Sequence, residues 1–391
     1  MTAVEELLTR GVANIIPNKN VLAGKLMAGK KLNVYLGIDP TATKIHLGHA
    51  VPLRKLQKFA EQGHNVTFLI GDFTALIGDT SDKDSERPSL TSKEIEENFK
   101  TYKKQAEKIL DFSKVKIEYN SEWFKKLNFE DILKLTQHFS VGDFVGRELI
   151  KKRLSENKRV GLHELLYPVM QGYDSFMLNT DLQIGGTDQT FNMQAGRTLI
   201  KDIKNKESFV LTTPILEGTD GRKMSKSWGN AIWLDDKPSD MYAKILSVND
   251  DLIIQYFTLA TNLSLDKISV FEQRLKKENP INIKKELAYQ IVSKLYDKKS
   301  AEKAREDFEK IVQKKEMPND TAIETQTIHL KAKIGDVLIE GGLAKSKSDA
   351  KRLIEQGGVS LNDKKIIDVN FETGEGILRV GKRKIKKLVL E

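Results

Sequence analysis

Two histidines, His46 and His49, stand three residues apart behind Asp39-Pro40-Thr41, with Gly48 between them. Far along the chain, Lys223-Met224-Ser225-Lys226-Ser227 sets two ammonium groups three residues apart, in a segment bracketed by Gly218, Gly221 and Gly229. Hydroxyl, imidazole and ammonium groups all donate hydrogen bonds or carry positive charge, which suits phosphates and developing negative charge. A third set, Tyr167, Gln171 and Asp174, is spaced by four and three, so a helix would put all three on one face. Tyr35 and Gly37 are two residues apart and share one face of a strand. A phenol and a carboxylate together offer a donor and an acceptor to a hydroxyl.

The elements around these groups read as α/β. Leu32 to Ile38 is an apolar run of strand length that ends at Asp39, and Ala50 to Phe59 carries a helical apolar pattern. That is a strand–turn–helix unit, and helix starts favour anions because their first N–H groups lack partners and the macrodipole is positive there. Short apolar runs at 33–38, 65–70, 116–119, 182–185 and 210–215 alternate with longer amphipathic segments up to about residue 230. This alternation predicts a doubly wound parallel sheet, whose ligands bind at strand carboxyl ends, where Asp39 and Asp72 fall.

The rest of the chain changes character. Asp82 to Arg87 reads as an exposed charged loop, and Phe129 to Gly161 as a helical insertion, within about 122–162. From Ser239 to about Val312 the pattern is wholly helical, with Ser239, Ser264 and Asn279-Pro280 as starts or breaks. Pro318-Asn319-Asp320-Thr321 reads as a polar linker. Two short helices, Lys333–Glu340 and Lys347–Gln356, and strands at 359–361, 376–380 and 386–390 follow. The expected domains are 1–232, 233–316 and 330–391, with 317–329 as linker.

Composition narrows the function classes. Of 391 residues, 39% are hydrophobic and 30% charged, a globular balance. No apolar run approaches bilayer length, and the acidic start Met1-Thr2-Ala3-Val4-Glu5-Glu6 lacks a signal-peptide pattern. A cytoplasmic protein with no membrane partner is expected. With no cysteine there is neither a disulfide framework nor thiolate chemistry. The net charge is +9, and residues 330–391 hold 14 Lys and Arg against 9 Asp and Glu, so the excess concentrates at one end. A polyanionic partner fits that distribution.

The histidine and lysine stretches, in this order and context, resemble the two ATP-handling motifs of class I aminoacyl-tRNA synthetases, and the chain resembles the tyrosine-specific family nearly end to end. The resemblance implies a Rossmann-like catalytic domain, a homodimer formed through the insertion, and ATP, L-tyrosine and the tRNA for tyrosine as substrates. Magnesium would arrive with ATP, with no metal held by the protein alone. It places Thr41, His46, His49, Lys223 and Lys226 in the catalytic role on the phosphates and ribose. The remaining ATP contacts it implies are Gly37, Asp39, Gly48, Gly186, Asp188, Gln189, Met224, Ser225 and Ser227, with Asp188 as the ribose candidate. For tyrosine it implies Tyr35 and Asp174 at the phenolic hydroxyl and Tyr167, Gln171 and Asp79 at the ammonium, with Gln183 closing the pocket. The C-terminal stretch resembles an S4-type RNA-binding module, which makes Lys347, Lys351 and Arg352 candidates for RNA backbone contact. Pro52 in the helix after the histidines and Thr190, where the family commonly has tryptophan, depart from the pattern. A tryptophan-specific synthetase and a synthetase-derived RNA-binding protein without ligase activity are the rival readings. The Tyr35 and Asp174 pair and the S4-like tail oppose the first, and the intact motif residues oppose the second.

Overall fold

The computed structural model describes residues 2–79, 90–310, 324–329, 332–381 and 384–390. The loop expected at Asp82 to Arg87, the linker at Pro318 to Thr321 and the boundary at Leu330 lie outside the described residues. Contacts divide the chain into two compact units, Met1–Ala301 and Glu302–Glu391. The helical stretch after residue 233 belongs to the first unit, together with the sheet, as far as Ala301.

The first unit is built on six strands: β1 (Asn14–Ile16), β2 (Asn33–Ile38), β3 (Asn65–Ile70), β4 (Val115–Tyr119), β5 (Leu182–Gly186) and β6 (Phe209–Thr213). Their order across the sheet is β1-β6-β5-β2-β3-β4. All neighbours run parallel except β1, which is antiparallel to β6. The central strands are apolar runs because helices cover both faces of a parallel sheet. Val34, Phe68, Ile184 and Leu211 are each at most 1% exposed. β1 escapes sequence reading because three residues carry no period. It forms because β6 offers a pairing edge.

The strand order reverses between β2 and β5. These two pair at Val34–Leu182 and Tyr35–Gln183, whereas β2 follows β3 through Ile38–Ile70 and β5 follows β6 through Gly186–Thr213. Each strand stays with its outer neighbour and the two part company, which opens a crevice at their carboxyl ends.

Four short helices, Ser121–Phe124, Phe129–Thr136, Val141–Val145 and Glu148–Ser155, form the insertion. It is tied to the helix Leu162–Met177 by a buried bidentate ion pair: Arg153 Nη1 lies 2.6 Å from Glu164 Oε2 and Nη2 3.0 Å from Oε1. Truncating one partner of such a pair costs ~3–5 kcal/mol, because the other charge is left buried alone. Later helices span Pro238–Leu246, Ile253–Ala260, Leu265–Leu275, Pro280–Leu295 and Lys298–Phe308. Ser264 and Asn279 cap their helices as expected. Ser239 does not: Pro238 takes the first helical position and Lys237 precedes it, since proline's fixed φ suits a helix start.

The second unit has five strands in the order β7-β11-β10-β8-β9, with β7 at Glu324–Ile328, β8 at Val359–Leu361, β9 at Lys364–Ile366, β10 at Gly376–Val380 and β11 at Lys384–Leu390. Helices Ile334–Glu340 and Lys347–Glu355 pack on it through Ile334, Val337, Leu338 and Ile354. β7 and β9 are absent from the sequence reading because both are mostly polar. β9 is created by its turn: Asn362 and Asp363 adopt φ of 49° and 62°, the left-handed pair that a two-residue hairpin demands.

Candidate active site

Every residue to which the sequence reading gives tyrosine or ATP lines one cavity of about 1260 Å³ at the crevice. Lys347, Lys351 and Arg352 belong instead to the second unit, exposed on the helix Lys347–Glu355. Arg352 pairs there with Asp349 at 2.6 Å and Lys351 with Glu355 at 3.8 Å.

The two motif segments are stitched to each other. Leu47 N–H donates to Ile232 O at 2.9 Å and Leu234 N–H to Ile45 O at 2.9 Å, so His46 faces Trp233 in a short bridge. The helix Leu47–Glu61 therefore starts against the chain that leaves the lysine segment. His46 and His49 stack with ring centroids 3.8 Å apart, and the His46 N–H donates to His49 Nδ1 at 3.3 Å. A side chain on Gly48 would put its Cβ 2.9 Å from His46 Nδ1, so any larger residue here would have to displace the stacked His46 ring. Burial first, then His49 and Lys223, push the His46 pKa down to about 2. That favours the neutral imidazole, a hydrogen-bonding group and not a cation. Lys223 Nζ lies 3.6 Å from Asp188 Oδ2, across from β5.

Pro52 lies inside the helix and lines the cavity. Lacking an N–H, it leaves the carbonyl four residues back, at Gly48, without its helical donor. Thr190 opens the helix Thr190–Lys204, and its hydroxyl donates to Thr187 O at 2.6 Å.

The floor of the cavity lies deeper. Asp174 is 4% exposed and accepts from Trp123 Nε1 at 2.8 Å and Asn120 Nδ2 at 3.2 Å. Burial holds its carboxyl well above the usual carboxylate range, against the pull of those two donors. Tyr35, 1% exposed, has its hydroxyl 2.6 Å from Ser175 Oγ, which in turn donates to Gln183 Oε1 at 3.1 Å. Asn120 Nδ2 also donates to Thr74 Oγ1 at 2.9 Å, Thr74 to Asp39 Oδ1 at 2.7 Å, and Tyr167 O–H to Asp39 Oδ2 at 2.9 Å. A continuous hydrogen-bonded chain thus runs from Asp174 to Asp39 and Tyr167. Because Tyr167 gives its proton to Asp39, its oxygen faces the cavity as an acceptor, the polarity an ammonium needs. Asp79 Oδ2 accepts from Gln189 Nε2 at 2.7 Å.

Residues 27–313 match the family model described as tRNA synthetases class I (W and Y), and residues 307–384 match the tyrosine–tRNA ligase SYY-like C-terminal domain. A tyrosine–tRNA ligase of Thermotoga maritima is 42% identical over 396 aligned positions, covering 99% of this chain and 98% of its own. The chain belongs to the tyrosine–tRNA ligase family. The Carboxydothermus hydrogenoformans tyrosine–tRNA ligase is likewise 42% identical, over 99% of this chain and 97% of its own. Solved structures agree in fold. A C-terminally truncated mitochondrial tyrosyl-tRNA synthetase of Aspergillus nidulans superposes with a TM-score of 0.67 at 24% identity, over 78% of this chain and 93% of that one. The Archaeoglobus fulgidus tyrosyl-tRNA synthetase complexed with L-tyrosine gives 0.60 at 23% identity, over 78% and 100%. Tyrosine–tRNA ligases are aminoacyl-tRNA synthetases that bind tyrosine, ATP and tRNA, and the C-terminal match removes the tryptophan-specific reading.

Sequence reasoning missed the residues that hold the ligase's pocket in shape: Thr74, Asn120, Trp123 and Ser175. One signal was available for Asn120. It directly follows β4, so the carboxyl-end rule that singles out Asp39 applies to it equally. Asp72, named by the same rule, instead accepts from Ser121 N–H at 2.9 Å and does not line the cavity. Trp123→Phe removes an N–H donor from Asp174 with little change of shape. It should raise the KM for tyrosine by roughly 10-fold, within the range for taking one partner from a buried polar group. The KM for ATP should hold. Steady-state kinetics with each substrate varied in turn checks this, and an equal rise in both constants would place Trp123 outside the tyrosine pocket.

Proposed function

We propose that this protein joins L-tyrosine to its tRNA in two steps at the one cavity. In the first, the tyrosine carboxylate oxygen bonds to the α-phosphorus of ATP and the α–β phosphoanhydride breaks, releasing pyrophosphate. In the second, a terminal ribose hydroxyl of the tRNA attacks the tyrosyl carbonyl and AMP leaves. The carrying observation is that a phenol-and-carboxylate floor, Tyr35 and Asp174, shares a cavity with the donor set of Thr41, His46, His49, Lys223 and Lys226.

The roles follow from the chemistry of each group. Tyr35 and Asp174 hold the substrate's phenolic hydroxyl, while Asp79, Tyr167 and Gln171 accept from its ammonium and Gln183 closes the pocket. Gly37, Asp39, Gly48, Gly186, Asp188 and Gln189 make room for and hold the nucleoside, with Asp188 on the ribose. Met224, Ser225 and Ser227 shape the segment that carries the two lysines. Neutral His46 with Thr41 donates to phosphate oxygens, and the two ammonium groups stabilise the departing pyrophosphate. Magnesium would arrive with ATP as a counter-ion that offsets part of the phosphate charge.

Three further assignments belong to this reading. The second unit, S4-like, tracks the RNA backbone with Lys347, Lys351 and Arg352. The protein works as a homodimer, a reading supported by apolar side chains left open on and beside the insertion: Phe129 is 73% exposed, Val141 73% and Leu162 74%. No helix among the described residues is long and apolar enough to cross a membrane, and the proposed location is the cytoplasm.

Tyrosine-dependent exchange of pyrophosphate into ATP tests the activity. Tryptophan-dependent exchange, or none with any amino acid, would sink it. In the same assay Lys223→Ala and Lys226→Ala should each slow exchange about 100-fold, the size of one lost transition-state donor. Tyrosine affinity in equilibrium binding should stay within about twofold, because the charge acts as pyrophosphate departs. Unchanged exchange rates would remove the lysines from the chemistry.

A further inference from the structure

The segment from Glu217 to Asn230 carries both lysines, and its base is fixed. Tyr256 O–H donates to Glu217 O at 2.6 Å, and Asn249 N–H donates to Thr219 O at 3.0 Å. Its tip is open: Lys226, Ser227, Trp228 and Gly229 are exposed. Between base and tip sits a buried amide, Asn230, 3% exposed. Its Oδ1 accepts from Ser225 N–H at 2.8 Å. Its Nδ2 donates to Asp220 Oδ1 at 2.7 Å and to the Lys223 carbonyl at 3.2 Å. The orientation of the amide follows from these partners, since only the oxygen can meet an N–H and only the nitrogen can meet a carboxylate and a carbonyl. A Cβ on Gly218 would lie 2.4 Å from Asn230 Nδ2, so the backbone there is bare where the amide passes.

We infer that Asn230 is a positioning residue for adenylate formation, clasping the Lys223–Ser225 backbone so that the Lys223 ammonium is held beside Asp188 at the cavity. The inference rests on the reading that Lys223 stabilises the departing pyrophosphate. A long, flexible side chain on a glycine-bracketed segment can take many positions, and ordering it is entropically costly. Asn230 Nδ2 also reaches the Arg222 carbonyl at 3.5 Å, so the backbone is held before and after Lys223, which sets the ammonium in place before the reaction; a misplacement of about 1 Å costs ~10²-fold in rate. Asn230 is buried and is not among the residues that line the cavity. It acts only through the lysine segment.

The test is a double-mutant cycle read by pyrophosphate exchange and equilibrium tyrosine binding on the full chain. Asn230→Ala should lower the exchange rate at saturating substrates by roughly 10- to 100-fold, with tyrosine affinity within about twofold. In a Lys223→Ala background the same change should cost less than about threefold, because the clasp no longer has a lysine to place. Asp220→Ala, which removes the anchor of the Asn230 amide and leaves Asn230 itself in place, should move the rate the same way by a smaller factor. It keeps the question answerable if Asn230→Ala folds poorly. A full-sized drop in both backgrounds, or tyrosine affinity falling in step with rate, would show Asn230 to be merely structural. A normal rate in both Asn230→Ala and Asp220→Ala would overturn the clasp while leaving Lys223 in its role. A normal rate in Lys223→Ala would remove the lysine reading and the clasp's purpose together.

Discussion

A chain ending at residue 310 is expected to make tyrosyl-adenylate at close to the parent rate and to charge tRNA at least 100-fold more slowly. The first unit contains the whole cavity, since every lining residue precedes Ala301. The second unit has its own buried core, with Ile334, Val337, Leu338, Ile354 and Leu378 all at 0% exposure, so removing it does not strip the first unit's core. What leaves with it is the basic end of the chain, including Lys347, Lys351 and Arg352. RNA affinity depends on such charges through counterion release. Removing one cation from a phosphate should flatten the slope of log affinity against log salt by about 0.7–0.9. Pyrophosphate exchange and tRNA charging measured on one sample, at several salt concentrations, make the check. Loss of both activities in a folded truncated protein would mean that the tail completes the active site. Retention of both would leave the tail without a part in charging.

Asp174→Asn should lower kcat/KM for tyrosine by about 10- to 100-fold, within the range for leaving a buried polar group without its partner, and should leave the KM for ATP within about twofold. Activation of phenylalanine should change little, so discrimination between the two amino acids shrinks. The argument is one of pairing. In the parent both Asp174 oxygens meet N–H donors, from Trp123 and Asn120, and the carboxyl still has lone pairs for a substrate hydroxyl. An amide in its place turns a donor toward a donor and no longer satisfies the floor. Sites built to bond a hydroxyl reject the analogue lacking it by ~10⁴–10⁵, a range for which tyrosyl-tRNA synthetase is itself the standard example. Side-by-side kinetics with tyrosine and phenylalanine decide the matter. An unchanged ratio would move Asp174 away from the phenol.

Both expectations draw on residues that sequence spacing already singled out. Asp39, His46, Gly48 and His49 fall within one short stretch, and a strand running into a helix start brings them to one turn, which the distant Ile232–Leu234 stretch then braces. Tyr167, Gln171 and Asp174 share a helix face for the same local reason. Local chemistry reaches that far because helix and strand periods depend on neighbours within a few residues.

The supporting partners were decided elsewhere. Trp123 lies 51 positions from Asp174, and Thr74 lies 35 from Asp39; no period links such pairs, and they meet only because the sheet sets β2, β3 and β4 side by side in that order, with the helix Leu162–Met177 packed near their ends. Asn230 is close to Ser225 in sequence, but its burial depends on the segment folding back over Gly218. The crevice itself arises where β2 and β5 part beyond Tyr35 and Gln183, a property of strand order across the sheet. Residue types and short spacings thus determined which chemistry this chain carries. Only the packing of the sheet decided which buried donors hold the Asp174 carboxyl in place, because a buried acceptor is satisfied by whatever the fold brings within about 3 Å.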